Sequence, residues 1–288
     1  MDNFNVYKDI QARTKGEIYI GVVGPVRTGK STFIKRFMEL AVLPAMEDES
    51  LKAVSTDELP QSAGGKTVMT TEPKFIPKEA VQITLGDGIQ AKVRLIDCVG
   101  YMVDGAAGHV ENGEERMVKT PWSEKEIPFT QAAQIGTRKV IGDHSTIGIV
   151  VTTDGSVGEL KRSAYIDAEK QTVDELKKLG KPFILLLNST KPYSDETLKL
   201  AEQLAADYGV TVLPVSCEQL KKEDIFHILE SVLKEFPVTQ LDFHIPKWLE
   251  VLPATHWLKT QVIDMARELL KKVSHMKDAA SQIKTFGG

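Results

Sequence analysis

Gly24-Pro25-Val26-Arg27-Thr28-Gly29-Lys30-Ser31 has the GxxxxGK[ST] spacing of a phosphate-binding loop. Small residues in such a string let backbone N–H groups converge on phosphate oxygens at the N-terminus of a helix. Gly24 and Gly29 supply that geometry, Pro25, Val26, Arg27 and Thr28 form the loop between them, and Thr32 follows in the first helical turn. Lys30 would set a point charge between the β- and γ-phosphates, and Ser31 would offer a hydroxyl to Mg²⁺. Asp97 ends an apolar run and begins the DxxG string Asp97-Cys98-Val99-Gly100. A strand-terminal Asp can hold Mg²⁺ through water, and that spacing brings the Gly100 N–H to the γ-phosphate. Thr70 and Thr71 fall between these two elements, where a hydroxyl and a carbonyl can complete the metal shell only while γ-phosphate is present. Lys30, Thr70, Thr71 and Asp97 are therefore the expected catalytic set, with Ser31, Thr71 and Asp97 on the metal.

In this order the three motifs resemble the translation-factor-like class of P-loop GTPases, and the fourth motif of that class fails. Where NKxD should follow the strand Phe183–Leu187, the chain reads Asn188-Ser189-Thr190-Lys191. The absent carboxylate is the acceptor for the N1–H and N2–H₂ donors of guanine, and Lys191 can only donate. ATP is the expected substrate, with Asn188, Ser216 and Cys217 on the base side. Tyr101 stands where many GTPases place a Gln that orients the attacking water. Hydrolysis is therefore expected to be slow or to depend on a supplied cation, for which Arg27, Arg138 and Lys139 are candidates.

The elements that must position these residues can be read from the apolar pattern. Glu17–Val23 reads as a buried strand and Lys30–Leu43 as a helix with Phe33, Phe37 and Leu40 on one face. Strand, glycine loop and helix is the context a P-loop requires. A polar stretch, Pro44 to Thr71, reads as a long functional loop. Val81–Leu85 and Gln90–Asp97 read as a hairpin around Gly86-Asp87-Gly88, and Tyr101–Phe129 as irregular. A helix over Thr130–Ile141 leads into alternating strands (Thr146–Thr152, Phe183–Leu187, Thr211–Val215) and helices (Ile166–Leu179, Asp195–Tyr208, Glu223–Phe236). The fold class is α/β: a mostly parallel sheet with one antiparallel hairpin strand and helices on both faces. Residues 3–13 read as a short amphipathic helix within an N-terminal extension, 1–16. A domain boundary is expected at 237, after which a strand-like piece over 240–245 and a helix over 258–283 look like the start of a second α+β domain cut short.

The remaining features narrow the class. A formal net charge of −4 sets up no field that attracts nucleic acid. No stretch reaches the about 18 to 20 apolar residues needed to span a bilayer, so membrane contact would be peripheral or through a partner. Cys98 and Cys217 lack ligand spacing and suit packing thiols in a reducing cytosol. The histidines show no zinc spacing.

The opening VYKDIQART, the loop GVVGPVRTGKSTFIKRFMELAVLP, the sensor region TVMTTEPKFIP and the switch LIDCVGYMVDGA together resemble the stage IV sporulation protein A family over essentially the whole chain. The resemblance implies an ATPase domain over 1–237 and the beginning of a middle domain over 238–288. It further implies a cytoskeletal protein of endospore formers that assembles with ATP hydrolysis into a layer beneath the spore coat. The implied location is the mother-cell cytoplasm at the outer forespore membrane. The implied partners are further copies of itself, a small amphipathic curvature-sensing sporulation peptide, and spore-coat morphogenetic proteins, the last two engaged mainly through a C-terminal region beyond this chain. Two alternatives remain at this stage: a ribosome-associated GTPase, separated by base preference, and a nucleotide-binding scaffold that does not hydrolyse, separated by phosphate release.

Overall fold

In the computed structural model, residues 16–60, 72–84, 90–106, 110–111 and 114–278 are described. The expected N-terminal helix and the sensor residues Thr70 and Thr71 lie outside them. The chain divides into two compact units, one running to Val232 and the other from Leu233.

In the first unit, β1 (Glu17–Val23) leads through the P-loop into α1 (Lys30–Phe37), which loosens into a π-helical turn at Met38–Val42 and a 3-10 turn at Leu43–Ala45. There follow α2 (Glu49–Asp57), β2 (Lys74–Thr84), β3 (Gln90–Asp97), the small pairs β4 (Val110–Glu111) with β5 (Glu114–Glu115) and β6 (Met117–Thr120) with β7 (Ser123–Pro128), and α3 (Phe129–Lys139). Then come β8 (Ile147–Thr153), α4 (Ile166–Lys178), β9 (Phe183–Asn188), α5 (Asp195–Tyr208), β10 (Val212–Val215) and α6 (Lys222–Leu233).

The six-stranded sheet has the order β10-β9-β8-β1-β3-β2. Every neighbouring pair is parallel except β2 with β3. All seven residues of β8 and all six of β9 are buried, as expected of central strands covered on both faces. The α1 face of Phe33, Ile34 and Phe37 is fully buried. Each such side chain contributes about 1.5–3 kcal/mol by leaving water.

Three expectations change in the first unit. The stretch after residue 44 is not all loop: α2 forms there, capped by Asp48, whose carboxylate accepts from Ser50 N–H at 2.8 Å and Leu51 N–H at 3.1 Å. Its only buried residue is Ser55, so it lacks the apolar periodicity that announces a helix. β2 begins seven residues before the expected strand and crosses Pro77 through a register irregularity between Ile76 and Val81, which an edge strand tolerates. The stretch after Tyr101 holds two short hairpins.

The second unit differs from expectation as well. Residues 240–245 form no strand and are mostly exposed. After α7 (Lys247–Val251), the helix α8 (Trp257–Lys272) stops at Val273, where the backbone turns extended and His275 bridges back to Pro237.

Candidate functional site

The ends of β1 and β3 are brought side by side by their parallel register, Val22 opposite Asp97. The P-loop leaves β1 and is held against the next segment by a hydrogen bond from Val26 N–H to Tyr101 O, 2.9 Å. Val26 is thereby turned inward, 2% exposed, onto Tyr101, Val103, Ala106, Tyr165 and Ala168. Thr28 is buried and braces the loop from within, its hydroxyl donating to Pro25 O at 3.0 Å. Arg27 takes the left-handed conformation with φ 62°.

Lys30 is 5% exposed and donates to Gly24 O at 3.3 Å and Pro25 O at 2.6 Å. An ammonium has three protons, so one remains for a phosphate oxygen. Burial lowers the Lys30 pKa, while Cys98 and Asp97 act to raise it. Asp97 is raised to about 6 by burial, against the opposing pull of Lys30. Its Oδ1 is enclosed and has no hydrogen-bond partner. A carboxylate oxygen left in that state is costly unless a cation or donor meets it. Gly100 lies over the loop with φ 93°, and a Cβ there would stand 2.0 Å from Gly24 O and 2.7 Å from Lys30 Nζ. Lys30, Asp97 and Gly100 are thus gathered at one end of the loop, with Ser31 and Thr32 partly exposed in the first turn of α1.

The other end of the P-loop meets β9. Asn188 donates from Nδ2 to Thr28 O at 2.9 Å and accepts at Oδ1 from Cys217 N–H at 3.0 Å. A Cβ on Gly29 would fall 2.3 Å from that Nδ2, so only glycine leaves room for the brace. Asn188 and the Cys217 amide are therefore engaged with each other and with the P-loop, and Ser216 stays partly exposed beside them. Both cysteine thiols are buried and free, and burial pushes Cys98 up to about 11 and Cys217 up to about 12. Among the described residues no cluster of His, Cys, Asp and Glu could hold a metal by itself.

Tyr101 does not face the P-loop end with its hydroxyl. It is 1% exposed, and its O–H donates to Glu175 on α4, which also accepts from Arg138 Nε at 2.9 Å. Burial and Glu175 push the phenol pKa upward. Arg138 is thus engaged at Glu175, and Lys139 pairs with Asp143 at 3.7 Å.

Sequence reasoning missed a second polar assembly beside Asn188. Asp154, Ser156, Ser189 and Thr197 hydrogen-bond to one another across two loops and the first turn of α5. Behind it, the buried Glu169 takes a bidentate pair from Arg162, at 2.6 and 2.7 Å, together with hydrogen bonds from Thr152 and Tyr208. The only local signal was Asp-Gly-Ser directly after the β8 run.

Residues 1–237 match the family model described as stage IV sporulation protein A, ATPase domain, and residues 238–288 match that protein's middle domain. The chain is 48% identical over 286 residues to the stage IV sporulation protein A of Bacillus subtilis (strain 168), covering 99% of this chain and 58% of that protein. Identity to the protein of the same name from Clostridioides difficile (strain 630) is 49% over 284 residues, covering 99% and 58%. For Bacillus anthracis it is 49% over 278 residues, covering 96% and 56%. The chain therefore spans little more than half the length of these relatives.

Proposed function

The chain belongs to the stage IV sporulation protein A family, and on that premise we propose that it binds ATP at the P-loop and hydrolyses it slowly to ADP and phosphate. The observation that carries this reading is the convergence on one loop end of a buried Lys30 with a proton to spare, an Asp97 oxygen with no partner, and Gly100.

Lys30 would bind the β- and γ-phosphate oxygens, and the Gly100 amide would approach the γ-phosphate from the β3 side. The enclosed Asp97 oxygen and the Ser31 hydroxyl, with Thr71 expected to join them, fit Mg²⁺, which would neutralise charge on the phosphates when bound. With the Tyr101 hydroxyl tied to Glu175, no amide orients the attacking water from that position, in keeping with slow turnover.

At the level of the whole protein, we propose that hydrolysis accompanies self-association into the basement layer of the spore coat, in the mother-cell cytoplasm at the forespore surface. A curvature-sensing peptide and coat morphogenetic proteins would be engaged mainly by the remainder of the longer family protein.

Phosphate release by the purified chain with ATP and with GTP tests the enzymatic core. ATP should be preferred, and Lys30→Ala should reduce release to background. Turnover that survives Lys30→Ala, or GTP used as well as ATP, would overturn the reading.

A further inference from the structure

Two loops and the first turn of α5 meet at the C-terminal ends of β8 and β9. Asp154 Oδ1 accepts from the Ser156 N–H at 2.8 Å and the Ser156 hydroxyl at 2.6 Å, and Oδ2 faces the Thr197 hydroxyl at 3.3 Å. Ser156 Oγ in turn accepts from Thr190 N–H at 2.9 Å and lies 3.5 Å from the Ser189 hydroxyl. Ser189 Oγ accepts from Lys191 N–H at 3.0 Å and pairs with the Thr197 hydroxyl at 3.3 Å. The backbone amides of Thr190 and Lys191 are therefore held by two serine side chains, and both serines contact the same carboxylate system.

This loop sits on the β9 flank of the P-loop, to which Asn188 ties it. Asp97 and Gly100 lie on the opposite, β3 flank. Ligands of open α/β sheets lie along the C-terminal ends of the strands. A triphosphate running toward Asp97 and Gly100 would leave its nucleoside at residues 188–191 and 216–217.

We infer that Asp154 is a positioning residue for the base: through Ser156 and Thr197 it fixes the backbone of residues 189–191, and so governs affinity for a nucleoside triphosphate over bare triphosphate. This rests on the nucleotide site proposed above. The role calls for an ionised carboxylate, because the groups facing Asp154 are donors: the Ser156 N–H and the hydroxyls of Ser156, Ser189 and Thr197. Burial pulls its pKa up, but these hydrogen bonds prevail and hold it below the usual carboxylate range. An asparagine would keep the shape and turn two N–H donors toward donors.

The test is displacement of a fluorescent ATP analogue by ATP, GTP and inorganic tripolyphosphate, on the parent chain, Asp154→Asn and Ser156→Ala, with melting curves on each. Asp154→Asn should weaken the preferred nucleoside triphosphate about tenfold, the scale of one charge-assisted hydrogen bond, and leave tripolyphosphate within about twofold. Ser156→Ala should move in the same direction by less. Equal losses for nucleotide and tripolyphosphate, or no loss for either, would overturn the inference. If the parent chain fails to prefer ATP over GTP, the adenine assignment falls, and Asp154 is still judged on the preferred nucleotide against tripolyphosphate. A parent chain that binds neither would overturn both.

Discussion

Tyr101→Phe separates a structural role from a chemical one at the position after Gly100. The variant removes one hydroxyl from a side chain that is 1% exposed and leaves Glu175, itself mostly covered, with one donor fewer. A hydrogen bond to a charged group is worth about 1.5–3 kcal/mol. Because Arg138 remains on Glu175, the cost belongs near the lower end, about 1.5–2 kcal/mol. For a domain of this size each kcal/mol moves the midpoint by about 2–4 °C, so melting should fall by about 3–8 °C. Hydrolysis per folded molecule should stay within about twofold of the parent, since removing the hydroxyl takes nothing from the reacting phosphate. Thermal melting and phosphate release on one preparation read both quantities. A tenfold or greater loss of turnover with an unchanged melting point would refute the argument and put the phenol at the nucleotide.

Asn188→Ala removes two buried hydrogen bonds at once and leaves Thr28 O and Cys217 N–H without partners, so urea unfolding should show a loss of about 2–4 kcal/mol together with weaker binding of ATP and ADP alike. An unchanged midpoint would show that the brace carries no load. Arg162→Ala strands the carboxylate of Glu169, which is 0% exposed, and should cost about 3–5 kcal/mol by the same measurement. A cost below about 1 kcal/mol would mean that Thr152 and Tyr208 suffice to hold the charge.

What could be read from the sequence was what is local. The P-loop and its flanking strand and helix follow from glycine spacing and from the run Ile18 to Val23, and the buried runs of β8 and β9 mark central strands before any partner is known. The elements misread are those whose stability comes from elsewhere. α2 buries a single serine, β2 hides its first half behind Pro77, and residues 240–245 have strand-like composition without a strand to pair with among the described residues. On the β3 flank of the P-loop, Asp97 and Gly100 announce themselves by spacing. On the β9 flank, Asp154 meets Thr197 across 43 residues, a separation for which no motif exists, and the same holds for Tyr101 and Glu175, 74 residues apart.

That asymmetry changes how the departure from NKxD should be understood. Taken alone, the string Asn188-Ser189-Thr190-Lys191 differs from a guanine-reading motif by a misplaced lysine and an absent carboxylate. Ser189, however, is 1% exposed, and its hydroxyl is engaged with Lys191 N–H and Thr197 and lies near Ser156. A lysine there would need room for three more methylenes and an ammonium where a hydroxyl now fits, at an overpacking cost of about 1–3 kcal/mol before any charge is desolvated. Lys191, by contrast, is exposed and free to vary without disturbing those contacts through its side chain. The two positions of the motif are therefore not equivalent. The second is built by its side chain into a buried hydroxyl and carboxylate network that reaches back to Asp154, and the fourth joins that network through its backbone N–H alone. If the base is bound at residues 188–191, as the nucleotide site proposed above requires, selectivity for it belongs to a loop shape held by several side chains rather than to one exchanged residue.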